Sequence, residues 1–165
     1  MKIRKTTAND IDAVMDIYAA AREYMITSGN PDQWGPVHPP REIIEQDIKD
    51  GKSYVAVDGD TVIAVFYYCI EIEPTYAKID GAWLNEKSYG IVHRIARGNA
   101  GKGKNVGEFC LNWCLEQCGN LRIDTHRDNK TMLNLLEKMG FTYCGIIWIE
   151  LGEELDERLA FQKEV

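Results

Sequence analysis

The chain has 165 residues, 45% hydrophobic and 27% charged, with a net charge of −7 and a pI near 5.0. That length suits one domain with a real core, and the acidic balance argues against general nucleic-acid binding, which needs a basic face to displace counterions. Binding to anionic membranes is disfavoured for the same reason, and the longest apolar run, Val62 to Ile70, is too short to span a bilayer.

Lys2 to Lys5 reads as a short first strand. Thr7 to Asp10 has the form of a capping box, with Asp10 in the reciprocal place. Ile11, Val14, Met15, Tyr18 and Met25 recur at helical spacing, which predicts a long amphipathic helix to about Thr27, stopped by Gly29-Asn30-Pro31. Asp32 to Pro40 holds three prolines and a glycine, so it is a loop, and it carries Trp34. Pro40 opens a second helix, with Ile43, Ile44 and Ile48 inward, ending at Gly51. Ser53 to Val57 and Thr61 to Ile72 read as strands around the turn Asp58-Gly59-Asp60. Pro74 to Lys87 is polar and irregular, yet it contains Tyr76 and Trp83.

Tyr89 to Ala96 is a further strand. A glycine and lysine loop follows, then a helix from Val106 to about Cys118. Leu121 to Thr125 is a short strand. Asn129 to Met139 is a helix with an apolar face, ended by Gly140. Phe141 to Ile149 and Arg158 to Gln162 read as two strands joined by an acidic turn. The order β-α-α-β-β-β-α-β-α-β-β predicts a single α/β domain over residues 1–165. Its sheet is mixed and mostly antiparallel, about seven strands wide, with helices on both faces.

Lys102-Gly103-Lys104-Asn105-Val106-Gly107 is the most informative stretch. It joins a strand to a helix N-terminus, where the first backbone N–H groups lack internal partners and the helix dipole favours an anion. Gly103 and Gly107 let a ligand approach the backbone, and two lysines add charge. The dinucleotide fingerprint does not fit, because Gly101, Gly103 and Gly107 are spaced one residue too long. The P-loop pattern does not fit either, since no hydroxyl follows a lysine. A plain solvated turn is the alternative.

The flanks of this loop resemble motif A of the GCN5-related N-acetyltransferases, which reads Gln/Arg-x-x-Gly-x-Gly/Ala at a helix start. Lys102 stands at the Gln/Arg position, Gly107 at the last glycine, and Asn105 replaces the middle glycine. Asn is the non-glycine residue that best tolerates positive φ. Asn129-Lys-Thr-Met-Leu-Asn-Leu-Leu-Glu-Lys-Met-Gly-Phe141 resembles the family's motif B. The two motifs cover Tyr89 to Phe141, and the element order extends the resemblance over the whole chain.

The resemblance implies acetyl-CoA as cosubstrate. Backbone groups of Ile95, Ala96 and Arg97 would hold the pantetheine arm as an added strand, and amides of Lys102, Gly103, Lys104, Asn105, Val106 and Gly107 the pyrophosphate. Asn129 would touch the cofactor near its arm, or serve as a plain helix N-cap. The implied activity moves acetyl to a primary amine of a small molecule or peptide.

Acetyl transfer needs a base, a donor for the thioester oxygen and a way for the thiolate to leave. His93 is the candidate base, with a packed strand histidine as the alternative. A backbone N–H near Arg97 is the candidate donor. Motif B usually supplies a tyrosine acid, but Leu136 stands there, and Tyr143 is the nearest substitute in sequence. Trp34, Tyr76 and Trp83 are candidates for an acceptor pocket that holds a cation, or for pinning their own loops.

His126 reads as a capping or salt-bridged residue. Cys110, Cys114 and Cys118 lie on one helix face beside Trp113 and read as core, with no metal site implied. Five cysteines without CxxC spacing, and an N-terminal segment lacking a signal-peptide core, imply reduced thiols and a cytoplasmic location. The expected state is a monomer or homodimer. Two rival readings are an acyl-CoA-binding module without catalysis, suggested by Leu136 and Asn105, and a nucleotide-dependent transferase that uses the lysine loop.

Overall fold

The computed structural model describes residues 1–165. Its strands are β1 (Lys2–Lys5), β2 (Ser53–Asp58), β3 (Thr61–Ile70), β4 (Asp80–Gly81), β5 (Gly90–Arg97), β6 (Asn120–Thr125), β7 (Thr142–Leu151) and β8 (Glu154–Glu164). The α-helices are α1 (Ile11–Thr27), α2 (Arg41–Lys49), α3 (Val106–Cys118) and α4 (Lys130–Lys138). All eight strands form one sheet in the order β1-β2-β3-β5-β6-β8-β7-β4. Only β5 and β6 run parallel.

Alternation along the strands divides the core between the two faces. On one, α1 and α2 set Val14, Ile17, Tyr18 and Ile44 against Val55, Val65 and Ala96. On the other, Cys110, Leu111, Cys114 and Leu115 of α3 join Leu136 of α4 over Ala64, Phe66, Val92 and Leu121. Each such fully buried aliphatic contributes about 1.5–3 kcal/mol relative to exposure. Burial pushes the Cys110 thiol up to about 12, as befits core rather than chemistry.

The segment between β3 and β5 covers the remaining half of the first face and has its own small core around Tyr76, Ile91, Ile147 and Ala160. The Arg122 guanidinium pins it. That group lies 4.3 Å from the Trp83 ring centroid and 4.0 Å from that of Tyr89, and donates to Asn85 O at 2.7 Å.

Two expectations change. The sheet has an eighth strand, β4, inside the segment read as irregular. Gly81 and Gly145 make it possible, because a Cβ on either would lie 2.1 Å from a carbonyl oxygen of the facing strand. The acidic turn before Arg158 is mostly strand: β7 and β8 pair out to Leu151↔Glu154, and only Gly152 and Glu153 turn. Gly152, at φ 65°, supplies the positive φ that a two-residue hairpin turn needs.

Two features of β5 position the site. Its pairing with β6 covers only Gly90↔Leu121 and Ile91↔Arg122, after which the strands part. It also carries a bulge against β3, where Tyr67 pairs with His93 and Val65 with Ala96, so Phe66 alone faces Arg94 and Ile95. Arg94 takes up the extra residue at φ 50°.

Asp10 anchors the start of α1. Its carboxylate accepts from the Thr7 N–H at 2.7 Å and forms a bidentate pair with Arg4 at 2.7 and 2.9 Å. The Arg4 hydrogen bonds, more than the Thr7 ones, lower its pKa from 3.8 to about 2. A lowered carboxylate stabilises the fold above its unfolded pKa, and that stability is lost as pH falls through the folded value. Asp10→Asn is therefore expected to destabilise the protein at neutral pH. Urea titrations should show the gap from wild type closing between about pH 4 and pH 2.

Candidate active site

Two hollows meet where β5 and β6 part. The larger, about 590 Å³, is walled by α1, the end of β5, and the first turns of α3 and α4. The approach to α3 makes it an anion cradle. The N–H groups of Lys102 and Lys104 are spent on Asn99 O and Gly101 O, and the first bond inside the helix is Phe109 N–H to Asn105 O. The N–H groups of Gly103, Asn105, Val106, Gly107 and Glu108 are left without a partner at the positive end of the α3 dipole. Gly103 at φ 78° and Asn105 at φ 53° shape the turn, so the asparagine takes the left-handed conformation of the glycine it replaces. Arg97, Lys102 and Lys130 line the same cleft.

The wall formed by β5 is an open strand edge. Gly98 N–H donates to Ile63 O at 2.9 Å, so Gly98 and Ala96 face β3 and alternation turns the N–H and C=O of Ile95 and Arg97 into the gap. Without the bulge, Ile95 would pair with Val65 instead. The bulge is braced from three sides. Tyr18 OH donates to Arg94 O at 2.9 Å, Asp47 pairs with the Arg94 guanidinium at 2.5 Å, and that guanidinium lies 4.9 Å from the Tyr67 ring centroid.

The smaller hollow, about 260 Å³, opens on the other side of the gap, and Met25, Ile95, Asn129 and Met132 line both. His93 lines it, with Nε2 3.1 Å from Glu73 Oε2. The other Glu73 oxygen accepts from Thr75 N–H and Oγ1–H at 3.3 and 3.0 Å. The bond to His93 is the main reason that Glu73 lies below its usual pKa, which keeps it a carboxylate. A carboxylate only accepts, so Nε2 is the nitrogen that carries a proton toward Glu73, and in the neutral ring Nδ1 holds the lone pair. Across the gap stands Asp124, whose Oδ2 accepts from Tyr76 OH at 2.6 Å.

The sequence-predicted cofactor residues gather as expected, with one exception. Ile95, Ala96, Arg97, Lys102, Gly103, Asn105, Val106, Gly107 and Asn129 all line the larger cleft. Lys104 does not: its ammonium pairs with Asp58 at 2.6 Å and its N–H is already bonded. A Cβ on Gly107 would lie 2.9 Å from Leu135 Cδ2, so that side chain of α4 would have to shift. Asn129 caps α4 through Met132 N–H at 3.1 Å and donates to Gln33 Oε1 at 3.0 Å, so it faces the cleft as a cap. His126 accepts the Asp128 N–H at 3.1 Å, a local turn contact.

The other candidates divide. Trp34 lines the smaller hollow, edge-on to Tyr18. Tyr76 is buried and reaches the hollow only through its hydrogen bond to Asp124, while Trp83 donates to Tyr76 O at 2.9 Å and pins its own loop. Tyr143 is displaced from the site altogether. It is 53% exposed on β7, edge-on to Phe161, and lines neither hollow. Leu136, at the motif tyrosine position, is fully buried in the core. Sequence reasoning missed Glu73 and Asp124. The signals were present in Glu73-Pro74-Thr75, a carboxylate before a helix-starting proline, and in Arg122 and Asp124 as alternate polar residues on one face of a short strand.

Neither a protein-family model nor a curated protein matches the sequence. Solved structures do. A GNAT-family acetyltransferase from Streptococcus agalactiae shares 29% identity at a TM-score of 0.89, over 99% of this chain and 95% of that one. A ribosomal-protein-alanine N-acetyltransferase from Brucella melitensis (18% identity, TM-score 0.69, all of both chains) shares the fold. So does a proposed acetyltransferase from Salmonella typhimurium, solved with its cofactor acetyl-CoA (13% identity, TM-score 0.65, 99% and 92% covered).

The left-handed Asn105 gives a direct check of the cradle. Asn105→Gly should stay within about 0.5 kcal/mol of wild type, whereas Asn105→Val should lose about 1–2 kcal/mol because a branched Cβ clashes there. Chemical denaturation of the three proteins measures this; equal stability of the valine variant would mean the turn is not held left-handed.

Proposed function

We propose that this chain, which belongs to the GCN5-related N-acetyltransferase family, transfers an acetyl group from acetyl-CoA to a primary amine of a small molecule or peptide. One observation carries the reading: an anion cradle and a histidine–carboxylate pair are the two ends of a single opening, made where β5 and β6 part. A polyphosphate cofactor with an amide-bearing arm suits this chain. The five free N–H groups suit the pyrophosphate, and the edge of Ile95 and Arg97 suits the arm. Asn30, 2% exposed beside the same cleft, has an Oδ1 atom without a partner, which suits an amide N–H of the arm.

Acetyl-CoA supplies an activated acyl carbon. The free N–H groups of Ile95 and Arg97 are the donors available to the thioester oxygen as it gains charge. His93 receives the proton of the attacking ammonium at Nδ1, while Glu73 holds the ring and balances the imidazolium that results. The C–N bond forms, the C–S bond breaks, and the second proton shed by the nitrogen goes to the departed thiolate, giving the amide and CoA. Leu136 offers no proton, so the thiolate leaves without help from α4.

Acetyl-CoA is expected to bind with measurable heat and to be displaced by CoA. Absence of heat and of competition at millimolar ligand would overturn the reading, and binding without CoA release from a broad amine panel would favour a binding module. His93→Ala should lower kcat/KM at neutral pH by about 10²-fold, in the range of a lost general base. The deficit should shrink at high pH, where the amine sheds its proton unaided. Unchanged kinetics would remove His93 from the mechanism.

A further inference from the structure

The smaller hollow has a charge balance that specifies more than an amine. Two arginines line it, and each is already matched. Arg94 pairs with Asp47 at 2.5 Å, and Arg158, 3% exposed on β8, pairs with Asp156 and donates to Gln33 O at 3.2 Å. Burial lowers the pKa of His38 at the rim, so it adds no positive charge at neutral pH.

Two lining carboxylates remain unmatched. Glu73 holds the His93 ring and two neutral donors of Thr75, and Asp124 holds only the Tyr76 hydroxyl, also a neutral donor, at 2.6 Å. Arg158 is near enough to feel Asp124, but they form no salt bridge, and Asp156 already offsets its charge. The hollow therefore carries an excess of negative charge in partly buried surroundings, where screening is weak.

The carboxylates also sit apart. β5 and β6 are in register at Ile91↔Arg122, so His93 and Asp124 follow two residues later on opposite sides of the opening and on the same face of the sheet. Glu73 belongs to the His93 side. An amine delivered to His93 surrenders its charge there on reaction and leaves Asp124 uncompensated. Trp34 and Ile149 complete a wall that suits an alkyl chain and a cation.

From this we infer that the acceptor is a small dication, a short alkyl diamine whose reacting nitrogen lies at His93 and whose second ammonium rests on Asp124. The inference depends on the acetyltransferase reading above. It also excludes a free amino acid as the preferred acceptor, because no lining cation is left to take a carboxylate.

Three amines built on a four-carbon chain test this with saturating acetyl-CoA: putrescine, n-butylamine and γ-aminobutyrate, whose far ends are an ammonium, a methyl and a carboxylate. The expected order of kcat/KM is putrescine, butylamine, aminobutyrate, with at least about tenfold between the first two, the scale of one charge-assisted contact. Asp124→Asn, which keeps an oxygen for Tyr76, should bring the ratio of putrescine to butylamine close to one, through KM rather than kcat. Butylamine turned over as well as putrescine, or a ratio that survives Asp124→Asn, overturns the diamine assignment and leaves the acetyltransferase reading standing. Acetyl-CoA that releases no CoA with any of the three while other amines are accepted also overturns it. Failure to bind acetyl-CoA at all removes the underlying reading and this inference with it.

Discussion

One extra residue in β5 determines the shape of the candidate site. Arg94 sits at φ 50°, a conformation that costs a non-glycine residue about 1 kcal/mol or more. The return is a change of parity: the pairing that would have used Ile95 moves to Ala96, and Ile95 and Arg97 turn their hydrogen-bonding groups into the gap. The strain is held by Tyr18 from α1, Asp47 from α2 and Tyr67 from β3. The helices on that face are therefore part of the site, although neither of these helix residues lines a hollow.

The bulge would be useless in a closed sheet. β6 leaves β5 after two paired residues, and the wedge is kept open by material packed into both of its faces. On one side α3 and α4 fill it, with Leu135 of α4 packed on Gly107 and Asn129 capping the end that points inward. On the other side, Arg122 leaves the last paired position to clamp Trp83 and Tyr89. The loop they hold brings Glu73 to His93. Gln33 ties the wedge across the top, since its side chain accepts from Asn129 and its carbonyl from Arg158.

What could be read from sequence follows from how local each feature is. The cradle is local: six consecutive residues, their glycines and the helix that follows define it, and even the left-handed Asn105 was foreseeable from residue chemistry. The strand and helix order is local too, because each amphipathic period is confined to its element. The bulge is not, since the residue forced to positive φ is an arginine, which gives no hint of such a conformation. The Glu73–His93 and Tyr76–Asp124 pairs span 20 and 48 residues, so only the folded sheet brings them together. Tyr143 shows the converse error, in which closeness in sequence to a motif stood in for closeness in space. For Tyr76 and Trp83 the sequence leaves pocket lining and loop pinning both open, and the fold decides for pinning: that loop has a core of its own around Tyr76 and a clamp of its own on Trp83.

The two hollows have opposite electrostatic character, and this division follows from the same wedge. Free backbone N–H groups gather at a helix N-terminus, so the cationic, N–H-rich side falls with α3. The other face carries no α-helix start at the gap, only the single turn Pro74–Tyr76 that Glu73 itself caps, and its polar groups come from strand side chains, Asp124 and His93, and from the carboxylate of Glu73. An anionic ligand and a cationic one would thus approach the same strand edge from opposite faces and meet at Ile95. The net charge of −7 would repel a polyphosphate at long range, but that repulsion is screened beyond about 8–10 Å in physiological salt. The unpaired amides act at contact distance, where screening by salt has little effect. The overall acidity therefore suits a cationic ligand while the local cradle suits an anion, so one strand edge of a single acidic chain has surroundings for two oppositely charged ligands.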